Sequence, residues 1–318
     1  MTASPTVCVD IGNSGLRCVL CLPESALRST QQTTDSVPWS GEVLRIDWLR
    51  LRAETASSAA SLPDVPTGDL PGQLTDHLFS QIYPWLTRTL QDAALQSAAP
   101  ANSLEAPQVA QCRWLVSSVQ RNAESHLRQC VERIGCLAYH PLTHPDVGLE
   151  VAVDQPERVG IDRLLAAYAA AELTESRPLI VIQAGSAITV DWLVAPRRFC
   201  GGAIMPGVPM MLRLLSQAAD LLPKVAAEEL LDLPALPGRN TAAAMKAGAC
   251  SAVVGGVQHL IARYRTTEHP SALVVLSGGD GPRLAAHLPG PIIEADHLVL
   301  RGLASRARAG VGILRPIN

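Results

Sequence analysis

An apolar strand, a tight glycine-containing turn and a second strand are written twice in this chain, and the repeat constrains the fold more than any other feature. Near the N-terminus Val7-Cys8-Val9 runs into Asp10-Ile11-Gly12-Asn13-Ser14-Gly15 and out through Leu16-Arg17-Cys18-Val19-Leu20. Mid-chain, Leu179-Ile180-Val181-Ile182 runs into Gln183-Ala184-Gly185-Ser186-Ala187 and out through Ile188-Thr189-Val190-Asp191. Each copy reads as a hairpin whose turn exposes backbone N–H groups. Two such turns facing each other could clamp a phosphate chain. The copies differ where the first has an acid, Asp10, and the second a neutral amide, Gln183.

The chain has 318 residues, enough for two domains with real cores. A net charge of −3 gives no electrostatic reason to expect nucleic acid, and 3% aromatic residues leave few rings for base stacking. No run of about 18 apolar residues that could cross a bilayer occurs, and no basic leader precedes an apolar stretch. The expectation is a cytoplasmic protein with neither nucleic-acid nor membrane partners. The eight cysteines are scattered, several within apolar runs, and read as buried reduced thiols. Cys18-Val19-Leu20-Cys21 has metal or redox spacing but no second pair.

Between 24 and 108 the sequence is rich in Ser, Thr, Ala, Pro and Gln. Within it, Leu44 to Trp48 alternates like a strand, and 73–95 carries apolar residues at helical spacing, with Pro84 placed to kink or divide that helix. The stretches 53–72 and 96–108 read as surface loops or insertions. Order returns with a strand over 112–119 and a helix over 123–134. An Ala- and Leu-rich helix follows Gly160-Ile161-Asp162-Arg163, and Arg177-Pro178 breaks it. The second half repeats the logic, strands early and helices later. The fold class expected is α/β: an N-terminal domain over 1–176 and a C-terminal domain over 177–318, related by a pseudo-twofold with a ligand cleft between them.

Gly12 lets the backbone approach a phosphate, and Asn13 and Ser14 add polar side chains. Asp10, at a strand end, is placed to hold a hydrated magnesium ion, which prefers one or two carboxylates and retained waters. Asp162 opens a helix, a position that suits an N-cap and a general base equally. As a base it would be weak, because helix N-terminal donors hold its pKa low, but phosphoryl transfer asks little of a base beyond orientation. Arg163 beside it could bind an anionic group. Ser277-Gly278-Gly279-Asp280 is equally a rest for a flat adenine ring and a helix-entry turn. Neither a Walker P-loop, a dinucleotide fingerprint nor a zinc pattern competes.

Taken in order, these motifs resemble the type III pantothenate kinases of the acetate-kinase, sugar-kinase and actin superfamily. The resemblance rests on Asp10-Ile11-Gly12-Asn13-Ser14, Ser117-Ser118-Val119, Pro156 with Gly160 to Arg163, Gly185 to Thr189, Gly201 to Gly207, Gly238-Arg239-Asn240-Thr241, Ser277-Gly278-Gly279 and Leu298 to Leu303. It implies two actin-like (ribonuclease H-like) domains, and ATP-dependent phosphorylation of pantothenate, the first step toward coenzyme A. Carried onto this chain, Asp10, Ile11, Gly12, Asn13, Ser14, Gly15, Leu16 and Arg17 would bind ATP phosphates and magnesium, with Ser186 completing the nucleotide site. Gly160, Ile161, Asp162 and Arg163 would hold pantothenate, with Asp162 as proton acceptor. Thr241 would join a pantothenate pocket at a homodimer interface. Gln183 stands where the resemblance implies an acid for potassium or ammonium, and Val153 where it implies an aromatic pocket residue. These two departures motivate the alternative of a catalytically weakened nucleotide- or pantothenate-binding regulatory protein. A kinase of the same fold with another small hydroxyl substrate is a third reading.

Overall fold

The computed structural model describes residues 4–23, 39–48, 73–96, 109–174, 177–194, 197–225 and 234–311. The stretches expected as loops, 53–72 and 96–108, lie outside these apart from Gln96, which ends a helix. Two compact units divide the chain. One comprises Met1–Val147, Gly160–Leu165 and Val299–Asn318; the other comprises Gly148–Val159 and Ala166–Leu298.

Unit 1 is built on β1 (Thr6–Ile11), β2 (Gly15–Cys21) and β3 (Ser40–Asp47), helix α1 (Gln73–Gln96), β4 (Arg113–Ser118), α2 (Arg121–Ile134), β5 (Ala138–Pro141) and the short α3 (His144–Val147). The strand order is β3-β2-β1-β4-β5. β1, β2 and β3 form an antiparallel meander, whereas β4 and β5 join parallel to β1. One sheet face, with Val7, Val9, Ile11, Leu16, Trp114 and Val116, shares a core with α1 and α2. α1 contributes Leu78, Ile82, Leu86 and Leu90 at four-residue spacing, all essentially inaccessible. Of the two outcomes expected for Pro84, a kink or a division, the division does not occur. Pro84 sits on the exposed face, where water can reach the carbonyl it leaves unbonded. Its cost of about 3 kcal/mol is offset by the apolar stripe opposite, each residue contributing about 1.5–3 kcal/mol when buried.

Unit 2 carries β6 (Glu150–Val151), most of α4 (Ile161–Leu173), β7 (Leu179–Ala184), β8 (Ala187–Val194), β9 (Arg198–Pro206), α5 (Val208–Ala218), α6 (Thr241–Thr267), β10 (Leu273–Ser277), α7 (Gly281–Ala285) and β11 (Ile292–Glu294). The closing helix α8 (Leu298–Arg308) returns the chain to unit 1. Its sheet order is β11-β10-β7-β8-β9-β6. Antiparallel β7, β8 and β9 with parallel β10 and β11 repeat the unit 1 pattern strand for strand, and β6 is added at the β9 edge. The core sets Ile180, Ile182, Val190, Val274 and Leu276 against Cys250, Val253, Val257 and Ile261 of α6. This duplicated α/β topology is the actin-like fold that the sequence motifs imply.

Candidate active site

The first hairpin turn closes through Gly12 N–H donating to Gly15 O at 2.9 Å. It is braced from afar: Trp48 donates its backbone N–H to Ser14 O at 3.0 Å and its indole N–H to Gly12 O at 3.0 Å. Gln120 donates its amide to Asn13 Oδ1 at 3.1 Å. A Cβ at Gly15 would collide with the backbone of Ile46, so only glycine lets β3 approach there. Asn13 and Ser14 are exposed at the tip. Ile11 and Leu16 are sequestered in the core, which leaves only their main chain for a ligand.

Asp10 lies in register between Arg17 of β2 and Ser117 of β4. Its Oδ2 is 3.7 Å from the Arg17 guanidinium, while Oδ1 is buried with no hydrogen-bond partner. Burial lifts its pKa to about 7; Arg17 pulls it down and the charge of Asp162 pushes it up. Unit 1 therefore brings Asp10, Arg17 and Asp162 into electrostatic contact.

Asp162 is not the helix cap that its position suggested. α4 begins at Ile161, and Gly160 O accepts the Arg163 and Leu164 N–H groups at 3.1 and 3.3 Å. Asp162 sits within the first turn, where its Oδ1 accepts the Arg163 N–H at 2.9 Å. Its pKa is also not held low. Desolvation raises it above the ordinary carboxylate value against the opposing pull of the Arg163 N–H and guanidinium, making it a stronger base than a capping aspartate.

In unit 2 the second turn is one residue shorter, with Gly185 N–H donating to Ala187 O at 3.2 Å. Two glycines press on it. Gly207 N–H donates to Ser186 O at 2.9 Å, and a Cβ at Gly207 would strike Gly185 O. Gly278, at φ +105°, packs on the backbone of Ala184, whose oxygen also accepts the Asp280 N–H at 3.1 Å. Gln183 lies in register between Thr189 and Ser277. Thr241 is exposed at the first position of α6, behind the Asn240 cap that accepts the Ala243 N–H at 2.8 Å. Val153 packs near Gly201.

Among the described residues no group of three or more His, Cys, Asp or Glu side chains could hold a metal. Cys18 and Cys21 are free and buried, and burial pushes the Cys18 thiol well above its usual range. Cys18 is therefore not a ready thiolate. Asp10 with its unpartnered oxygen is the fitting place for a magnesium ion that keeps most of its waters.

A sequence profile described as type III pantothenate kinase matches residues 74–263. The chain belongs to that family. A type III pantothenate kinase of Rhodopirellula baltica is 36% identical over 228 residues, 69% of this chain and 81% of the relative. One from Paramagnetospirillum magneticum is 40% identical over 159 residues, which span 50% of this chain and 59% of that protein. A crystal structure from Campylobacter jejuni, described as a conserved Baf family transcriptional activator, aligns with a TM-score of 0.50 at 18% identity, over 96% of this chain and 98% of that one. That likeness concerns the fold alone. Within the family pattern, the sequence reading missed the braces Trp48 and Gln120, which lie 36 and 107 residues from their partners in the first turn. No local spacing could have revealed them.

Proposed function

We propose that this protein transfers the γ-phosphoryl group of ATP to the terminal hydroxyl of pantothenate, yielding 4′-phosphopantothenate, the first step of coenzyme A biosynthesis. The observation that carries the reading is the pairing, within one unit of a pantothenate kinase family chain, of a buried Asp10 with an unsatisfied oxygen and an Asp162 whose proton affinity is raised. The backbone N–H groups of the first turn and Arg17 hold ATP phosphates. Asp10 would hold a magnesium ion, which when bound would neutralise charge on the phosphates. Asp162 takes the proton from the pantothenate hydroxyl, and Arg163, with its fixed charge, binds the substrate carboxylate. Gly160 and Ile161 supply main chain to the same pocket, Thr241 adds a hydroxyl to the pantothenate site, and Ser186 serves the nucleotide. Family membership and both acids favour catalysis, and nothing favours the regulatory alternative.

The monovalent-cation position lacks the carboxylate that the resemblance implies, which puts a cation requirement in doubt. Gln183 is a neutral amide, and its register neighbours, Thr189 and Ser277, are hydroxyls, so that row carries no negative charge. Turnover is expected with choline as the sole monovalent cation, with potassium or ammonium changing kcat less than about twofold; activation of ten-fold or more would contradict this.

The protein acts in the cytoplasm as a homodimer. Among the described residues no helix is long and apolar enough to cross a membrane. Ile204, Leu214, Leu215, Leu221 and Leu236 of unit 2 are exposed apolar side chains that a second copy would cover. ADP release coupled to pantothenate addition tests the activity. Release that depends on pantothenate supports the assignment, and absence of release at any cation concentration refutes it.

A further inference from the structure

Two adjacent serines end β4, and the structure treats them differently. Ser118 is satisfied locally: its hydroxyl donates to Gln120 O at 3.0 Å and accepts the Gln120 N–H at 3.1 Å. Ser117 is completely inaccessible, and its Oγ has no partner. An unsatisfied buried hydroxyl costs about 1–3 kcal/mol, which a fold does not carry without compensation elsewhere.

The register places Ser117 directly beside Asp10, whose Oδ1 is likewise buried and unpartnered. A hydroxyl that can donate and accept thus shares a sheet row with an acid that has a bare oxygen, without a hydrogen bond between them, and Arg17 occupies the other side of the acid. The duplicate sheet supplies an internal control. There the row reads Thr189, Gln183, Ser277, and Ser277 stands where Ser117 stands in unit 1. Ser277 is not left bare: its hydroxyl accepts the Leu298 N–H at 3.4 Å. At this sheet position the serine is unsatisfied in the row with the acid and satisfied in the row with the amide, where the buried hydroxyl without a partner is instead Thr189 on the other side of Gln183.

We propose that Ser117 is a positioning residue for Asp10 as the carboxylate of a divalent ion: with the ion bound, its hydroxyl donates to Asp10 Oδ1, a hydrogen bond that the empty site does not make. The inference rests on the reading of Asp10 as the ion's carboxylate. It gives a role to a hydroxyl in a place where alanine is expected to be more stable in the empty protein.

The test uses Mn2+ as the probe, counted as free ion by electron paramagnetic resonance in the presence of ADP and without pantothenate, alongside urea denaturation of the metal-free protein. Ser117→Ala is expected to weaken Mn2+ binding about fivefold, the equivalent of one hydrogen bond, while leaving the metal-free midpoint equal to or above wild type. Ser117→Thr, which restores a hydroxyl, is expected to return binding to within about twofold. Unchanged Mn2+ binding in Ser117→Ala overturns the proposal. So does a lowered metal-free midpoint in that variant, since it would make the hydroxyl a structural one. Failure of the wild-type protein itself to take up Mn2+ with ADP is a different result, which refutes the assignment of Asp10.

Discussion

Burial outweighs what opposes it at both carboxylates, the charge of Arg17 at Asp10 and a backbone hydrogen bond with the Arg163 charge at Asp162. At Asp162 a single backbone N–H and the neighbouring guanidinium do not outweigh desolvation. The sequence could show an aspartate near a helix start, but a two-residue difference in where the helix begins separates a cap from this first-turn side chain, and depth of burial depends on packing that the local sequence does not encode. At Asp10 the consequence is thermodynamic. A carboxyl whose folded pKa of about 7 exceeds its unfolded value of about 4 keeps a proton that the unfolded chain has lost. Its stabilising contribution is complete below the unfolded value and is lost as pH rises to about 7, by on the order of a few kcal/mol. Asp10→Asn removes this dependence. In urea titrations of the ligand-free protein, the variant should gain on wild type at pH 8 and gain much less at pH 5. An equal difference at both pH values would show that Asp10 is not buried as described.

Elements as well as residues repeat between the units. Both hairpins were legible because alternating apolar strands bounded by glycine leave little choice of structure. Their inequality was less visible: the second turn is shorter by one residue and is hemmed by Gly207 and Gly278, which lie far along the chain. Gly278 has a left-handed φ and no room for a methyl group against the Ala184 backbone. Gly278→Ala should therefore destabilise the protein by at least about 2 kcal/mol, read as a lowered denaturation midpoint. A change under about 0.5 kcal/mol would mean that the turn relaxes freely. Pro84 illustrates the opposite limit of sequence reading. Proline signals a helix break only when the apolar stripe is too weak to hold the helix together, and here Leu78, Ile82, Leu86 and Leu90 are strong enough.

For the whole molecule, two sheets of one topology explain why motifs spread from Asp10 to Leu303 belong to one family pattern. Strand and helix order were readable from periodicity, whereas the pairing of β1 with β4 and the return of α8 to unit 1 depend on long-range packing that no single motif encodes. The exposed apolar side chains of unit 2 are what the proposed homodimer would cover. Light scattering should give a mass twice that of one chain, and a monomeric mass at micromolar concentration would rule out a stable dimer. The central claim, that these two acids perform phosphoryl transfer to pantothenate, is tested most directly by pantothenate-dependent ADP release from wild type and Asp162→Asn side by side. The account predicts turnover in the wild type and a kcat at least about 100-fold lower in the variant, with an unchanged circular dichroism spectrum. Turnover retained in Asp162→Asn would contradict it.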